Sequence, residues 1–254
     1  RIMSNLHALS DPIAPIKNVT TICLRKISPY IACALAHLFL KTSTSIRTFI
    51  FDGFSFLVPH QLKLAKIAKI KRPISLIFDQ CSFDDRSFQS LLNEFSQFPG
   101  EFQRLSFNNV SLTSKMIDLF IAAMSKSRSI RTLELLEFNE ISFFDNLSEE
   151  ALNSLIELFT KHCRFLDRIS FTFKIKNSKP FPTQIQMDNF LNYSILGEIA
   201  ISGQDLSNQF ISTSMTLPSH IRLLDFSRCV FSIESIKGLF NLLSDYENPL
   251  SLSL

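Results

Sequence analysis

The sequence predicts an α/β chain built as a right-handed, horseshoe-shaped solenoid of strand–turn–helix units, with a parallel sheet on the concave face. Three observations carry the prediction. A five-position apolar pattern returns along the chain with a period of about 28 residues. A helical apolar stripe follows several copies of it in the same phase. Between the two inward strand positions there is often a polar residue, which fits a sheet with one covered and one open face.

The strands come first. In HIRLLDFSRCVF (220–231), Leu224 is taken as position zero, and apolar residues fall at −3, 0, +2, +5 and +7. EFQRLSFNNVSL repeats this with Phe102, Leu105, Phe107, Val110 and Leu112. RPISLIFDQCSF repeats it with Pro73, Leu76, Phe78, Cys81 and Phe83, and SIRTFIFDGFSF with Ile46, Phe49, Phe51, Phe54 and Phe56. Position zero is read at Ile22, Phe49, Leu76, Leu105, Leu133, Ile169, Ile199, Leu224 and Leu252. The inward residues are rungs of a stacked core, and the residues between them face solvent.

Helices follow at fixed offsets. Phe88, Leu91, Leu92 and Phe95 stand +12, +15, +16 and +19 from Leu76. Ile117, Phe120, Ile121 and Met124 hold the same offsets from Leu105, as do Ile236, Leu239, Phe240 and Leu243 from Leu224. After Leu133 the set Leu152, Leu155, Ile156 and Phe159 is displaced by seven residues. Each set is one apolar stripe on a helix. Pro59, Asp84, Thr113, Ser148 and Ser232 lie where helix starts are expected. EFNEISFFDN (137–146) reads as an insertion, and KIKNSKPFPTQ (174–184), with two prolines, as a protruding loop.

The form LxxLxLxx(N/C)xL with a helix resembles the ribonuclease-inhibitor-like class of leucine-rich repeats, over nearly the whole chain. Cys81 and Cys229 stand where that class places Asn or Cys to bond the turn backbone. Ile27, Phe54, Val110 and Phe138 take that place elsewhere, and Phe replaces Leu at many rungs, so the resemblance is to a divergent member. It implies one array of about eight units over 1–254. RIMSNLHAL reads as the helix of a preceding unit and LSLSL as a ninth strand, so the array is expected to be open at both ends. CARMIL-type actin regulators and nucleotide-binding immune receptors carry such arrays, and no residue here selects either. A (β/α)8 barrel and a doubly wound sheet fit less well. Their strands are covered on both faces and read as continuous apolar runs, whereas Ser106, Glu134, Ser170, Asp225 and Ser253 interrupt these.

Composition bounds function. Apolar residues make up 46% and charged residues 19%, enough for a large core. A net charge of +3 does not by itself point to nucleic acid. Cys23, Cys33, Cys81, Cys163 and Cys229 are scattered, without a CxxC pair, which fits reduced thiols in a cytoplasmic protein. Sequons at Asn18, Asn109, Asn146 and Asn192 are read as chance in a chain rich in Asn and Ser. The longest apolar run, IACALAHLFL (31–40), is too short to span a bilayer. GxSxG, GxxxxGK[ST], GxGxxG and HExxH are missing, and His7, His37, His60, His162 and His220 share no ligand spacing. The His162–Cys163 pair is read as a helix end. The expectation is a non-catalytic chain without metal or cofactor.

Two surfaces remain. Concave residues sit at −1, +1 and +3. Among them Ile50 and Ile77 form an apolar pair flanked by Asp52 and Asp79, and Arg104, Glu134 and Arg168 form an alternating charge group, with Asn108 and Asp225 on the same face. These are the candidate residues for a protein partner, as in a scaffold of cytoskeletal or signalling regulation. KLAKIAKIKR (63–72) clusters Lys63, Lys66, Lys69, Lys71 and Arg72, with Leu64, Ala65 and Ala68 on the core stripe. Its plain reading is a solvated convex helix face. The alternative is peripheral contact with an anionic membrane surface; no aromatic residues interleave with the lysines, which disfavours nucleic acid.

Overall fold

The computed structural model describes residues 18–57, 62–64, 72–130, 133–141, 154, 158, 168–173, 197–203, 205–207 and 216–254. In chain order the elements are β1 (Thr21–Arg25), α1 (Pro29–Thr42), β2 (Thr48–Asp52), β3 (Ser55–Phe56), β4 (Ile74–Asp79), β5 (Ser82–Phe83), α2 (Asp85–Ser96) and β6 (Phe102–Asn108). Then come α3 (Ser114–Met124), β7 (Leu135–Ile141), β8 (Arg168–Phe173), β9 (Glu198–Ser202), β10 (Leu223–Asp225), α4 (Ile233–Ser244) and β11 (Ser251–Ser253). Nine strands form one parallel sheet in the order β1-β2-β4-β6-β7-β8-β9-β10-β11, so each strand neighbours the next in sequence. β3 and β5 make a second, two-stranded parallel pair.

The register confirms eight of the nine zero positions. Ile22, Phe49, Leu76 and Leu105 align across β1, β2, β4 and β6. Ile169, Ile199, Leu224 and Leu252 align across β8 to β11. The exception is β7, where Leu136, not Leu133, pairs with Leu105 and Ile169. Leu133 is instead the −3 rung, fully buried like Phe102. The shift of three places Phe138 at +2, where its ring stacks on Phe107 at 5.5 Å and 10°. Residues 137–141, read as part of an insertion, are strand. A smaller correction applies at β4: a bulge beside Ser75 makes Ile74 the partner of Phe102, displacing Pro73 from the −3 rung.

Phenylalanine at +2 has a packing reason. Phe51, Phe78, Phe107 and Phe138 stack in succession at 5.2, 5.4 and 5.5 Å with nearly parallel planes. Phe56 and Phe83 repeat the stack at +7, at 5.0 Å. A strand spacing of about 4.8 Å brings identical ring positions into offset stacking distance, so neighbouring units lock through aromatic faces.

The turns repeat as well. Position +4 has positive φ at Lys26, Gly53, Gln80, Asn109, Gly203 and Arg228. This left-handed residue turns the chain out of the strand and leaves its N–H free to pair sideways. Gly53, Gln80 and Gly203 donate to the +3 carbonyls of the next unit, Asp79, Asn108 and Ser227, at 2.9–3.0 Å. One step on, the Cys81 and Cys229 thiols donate to the +2 carbonyls of the preceding unit, Phe51 and Ile201, at 3.2 and 3.1 Å.

Helix starts follow the sequence signals. Asp84 closes a capping box with Ser87, and Thr113 and Ser232 cap α3 and α4. Ser28 caps α1. Pro59 and Ser148 lie outside the described residues, as do 1–17, 174–184, the stripe Leu152, Leu155, Ile156 and Phe159, and the His162–Cys163 pair. The α2 stripe is buried throughout; in α3 only Ile121 is partly exposed. The α4 stripe departs from expectation: Leu239 is buried, Ile236 and Leu243 are intermediate, and Phe240 is 50% exposed. No helix among the described residues is long and apolar enough to cross a membrane.

Candidate interaction face

The sheet face opposite the helices is built from positions −1, +1 and +3, which the strand pleat points away from the rungs. Its +1 row runs Cys23, Ile50, Ile77, Ser106, Glu137, Ser170, Ala200, Asp225 and Ser253 in register. Expected as an open surface, this row is buried at its described middle. Ser106 is 0% exposed, Ala200 2%, Glu137 5% and Ile77 8%. Longer side chains of the flanking rows contribute: Arg104 reaches across to Glu137, and Ser106 donates to Asn108 at 2.9 Å. Exposure returns toward the edges, at Thr21, Cys23 and Arg25 on β1 and Ser251 on β11. Ile50, Asp52, Asp79 and Asp225 are half-buried.

The Ile50–Ile77 pair is therefore unequal, since Ile77 has almost no area left to offer a partner. The Asp pair is brought together as read: Asp52 and Asp79 are register partners on adjacent strands. Asp225 accepts from Ser227 N–H at 3.0 Å, which ties it to its own turn.

Glu134 is corrected. It precedes β7, is exposed, and accepts from Gln103 at 2.9 Å. The carboxylate in the sheet is Glu137, to which Arg104 donates from Nε at 2.8 Å and from Nη2. Glu137 keeps only 7% side-chain exposure. A buried carboxylate needs such a cation, because losing its partner leaves an uncompensated charge. The strand of Arg168 pairs its backbone with Leu135 and Glu198; its side chain lies outside the description. Sequence reasoning missed a second pair on this face, Arg222–Glu198 at 3.1 Å.

The basic stretch 63–72 also changes. Lys63 is exposed with a φ of 53°, and Leu64 is buried as expected of the stripe. Arg72 does not belong to a free cationic face. Its Nε donates to Ile46 O at 2.8 Å and its Nη2 to Ser43 O at 2.5 Å and Leu40 O at 3.4 Å. It satisfies carbonyls at and beyond the C-terminus of α1, which have no intrahelical donor. Lys66, Lys69 and Lys71 lie outside the described residues.

Beside this stretch, His37 Nδ1 meets Leu62 O at 3.2 Å and Glu94 Oε2 accepts from Leu64 N–H at 2.8 Å. Burial holds the His37 ring below its ordinary range. Burial pushes the Cys33 and Cys81 thiols up to about 12, which makes them inert as nucleophiles at neutral pH. Among the described residues no group of three His, Cys, Asp or Glu side chains is placed to hold a metal. No family model matches the sequence, and no curated protein matches it.

Proposed function

We propose that the chain is a non-catalytic protein-interaction scaffold. In this reading it is a leucine-rich-repeat solenoid of the ribonuclease-inhibitor-like class that takes a protein partner on its sheet face. Support for the repeat reading comes from the sequential parallel strands, the left-handed residue at the +4 positions Lys26, Gly53, Gln80, Asn109, Gly203 and Arg228, and the Cys81 and Cys229 turn bonds. The same thiol donors favour a reducing compartment and hence the cytoplasm, since both need the reduced form.

One observation carries the partner site. Ile50 is partly accessible beside Asp52 and Asp79, and among the described residues no hydrogen bond or ion pair reaches either carboxylate, whereas Arg104 and Arg222 are already paired with Glu137 and Glu198. Unspent apolar area next to unspent charge gives a partner both affinity and orientation. Capture from lysate tests this. Ile50→Asp and the pair Asp52→Lys, Asp79→Lys should each lose partners that the parent retains, with unchanged circular dichroism. Recovery of the same partners by both variants overturns the site.

A further inference from the structure

We propose that the partner lays an extended, basic segment along β2 and β4, with an arginine or lysine over Asp52 and Asp79 and an apolar side chain two residues away over Ile50. The proposal rests on the sheet face being the partner site and names the chemistry of its occupant. Two neighbouring strands carry the same kinds of side chain on that face. β2 has Thr48, Ile50 and Asp52 at −1, +1 and +3, and β4 has Ser75, Ile77 and Asp79, each aligned with its counterpart. No other described strand holds a hydroxyl, an isoleucine and an aspartate in those places. Core packing explains the rungs at 0 and +2, because Phe49, Phe51, Leu76 and Phe78 are buried. It does not demand that the opposite face repeat. Nor do the two units match throughout: beyond the turn, LVPHQLKLAKIAKIK (57–71) bears little likeness to DDRSFQSLLNEFSQF (84–98).

Both ends of the patch have unmet polar groups. Asp52 and Asp79 are half-buried side by side, and like charges on adjacent strands repel. Arg25, the neighbour of Asp52 on β1, is exposed and makes no ion pair among the described residues. At the other end Ser75 is 6% exposed. Its backbone N–H donates to Arg47 O at 2.7 Å, but no hydrogen bond among the described residues reaches its hydroxyl. Buried hydroxyls are ordinarily bonded, so this one is open to an incoming donor or acceptor. Glu137 and Glu198, on the same face, already have arginines in Arg104 and Arg222. A cation at Asp52 and Asp79 completes the same arrangement from outside. Pitch fixes the form of the ligand. From Asp52 to Ile50 to Thr48 each step is two residues, about 7 Å. An extended segment repeats the side chains of one face at that same interval. A cation at one position therefore sets the side chain two residues on above Ile50, and the next beside the Thr48 and Ser75 hydroxyls. The methylenes of a long basic side chain can cover Ile50 as well, while its charge reaches the carboxylates.

Laying the labelled chain on an array of immobilised, capped peptides tests this. The probes are Thr-Arg-Ser-Leu-Ser-Thr and Thr-Lys-Ser-Leu-Ser-Thr, their counterparts with Gln or Glu at the basic position, and controls with the first Ser and the Leu exchanged. The basic probes should bind at least about tenfold better than the Gln and Glu probes, by a margin that narrows at high salt, and better than the exchanged controls. Asp52→Asn with Asp79→Asn, which keeps shape and removes charge, should abolish the preference for basic probes with circular dichroism unchanged. Should that pair fail to fold, Asp52→Asn alone is read and should reduce the preference. Ile50→Ala should abolish the preference for the unexchanged order. No preference for basic probes overturns the proposal, and so does a preference that survives the Asn variants. Binding of the chain to itself that the Asn pair abolishes also overturns it, since a second copy would then be the occupant. The site reading fails separately, when lysate partners survive Ile50→Asp and the pair Asp52→Lys, Asp79→Lys. If those partners are lost but basic probes bind no better, the face stands as the partner site and the basic segment alone is refuted.

Discussion

Phe226 and Asp225 are neighbours in sequence that face opposite sides of the sheet. Phe226 is fully buried, while Asp225 is half-exposed and accepts from Ser227 N–H within its own turn. Phe226→Ala should cost about 3–5 kcal/mol through lost packing and a cavity. Asp225→Ala should cost about 1 kcal/mol or less, the worth of one partly exposed hydrogen bond. Urea melts read both, and equal effects would refute the strand phase. The thiols divide in the same way. Cys33 and Cys81, buried and pushed up to about 12, should resist a thiol reagent until the chain unfolds, whereas exposed Cys23 reacts at once. Mass mapping after brief labelling tests this; early labelling of Cys81 would contradict the turn bond to Phe51. Sequence alone marked Cys81 as a turn residue, because its place in the pattern is fixed. It could not mark Arg72 as the donor that closes α1, since the carbonyls that Arg72 binds lie 26 to 32 residues away.

Helices here begin where short polar side chains take up backbone donors that the helix leaves free. Thr113 accepts from Met116 N–H at 3.2 Å, and Thr113→Ala should destabilise the protein by about 1 kcal/mol. Thr113→Ser, which keeps the oxygen, should recover most of the loss; thermal melts compare the two. Between α1 and α2, residues 62–64 are held by His37 from one side and Glu94 from the other. Burial lowers the His37 value below its ordinary 6.5, Lys63 and Lys41 add to this, and the bond to Leu62 O and the charge of Glu94 oppose it. The unfolded chain therefore binds a proton near pH 6.5 that the folded chain takes up only at lower pH. Stability should fall as pH drops through about 6.5. His37→Gln should flatten that slope between about pH 7 and 5.5, measured by melts at each pH. Identical slopes in parent and variant would remove His37 from the account. β7 shows the limit of pattern reading at this scale. LELLEFNEI fits the apolar template in two frames three residues apart, and the frame on Leu133 keeps the spacing from Leu105 at 28 residues. The frame on Leu136 leaves an apolar residue, Phe143, at +7 where the other leaves Glu140. That contrast was legible, and the structure adds the decisive contact of Phe138 with Phe107.

Across the whole molecule, contact passes from each strand to its neighbour in sequence, which sets how substitutions combine. Phe78 and Phe107 stack at 5.4 Å, so Phe78→Leu and Phe107→Leu should couple by about 0.5–1.5 kcal/mol. β2 and β10 stand six strands apart, roughly 29 Å at 4.8 Å per step. Phe51→Leu and Phe226→Leu should therefore add within about 0.5 kcal/mol. A double-mutant cycle in urea checks both, and strong coupling of the distant pair would contradict the sequential row. The strand order, eight of nine register positions, the α2 stripe and the turn cysteines were all readable from the sequence. Each depends on a local period, and a repeated period forces neighbouring units into the same register. The accessible part of the sheet face was not readable. Alternation told which way Ile77, Ser106 and Ile50 point, but only the folded arrangement decided that Ile77 and Ser106 are buried while Ile50 and Asp52 are partly accessible. Repeat spacing alone picked Glu134 over Glu137 as the partner of Arg104, because a three-residue change of frame exchanges them and the spacing of 28 favours the wrong one. Direction is a property of the backbone and is written in the order of residues; burial and pairing depend on what other strands bring alongside, and tertiary packing alone fixed those.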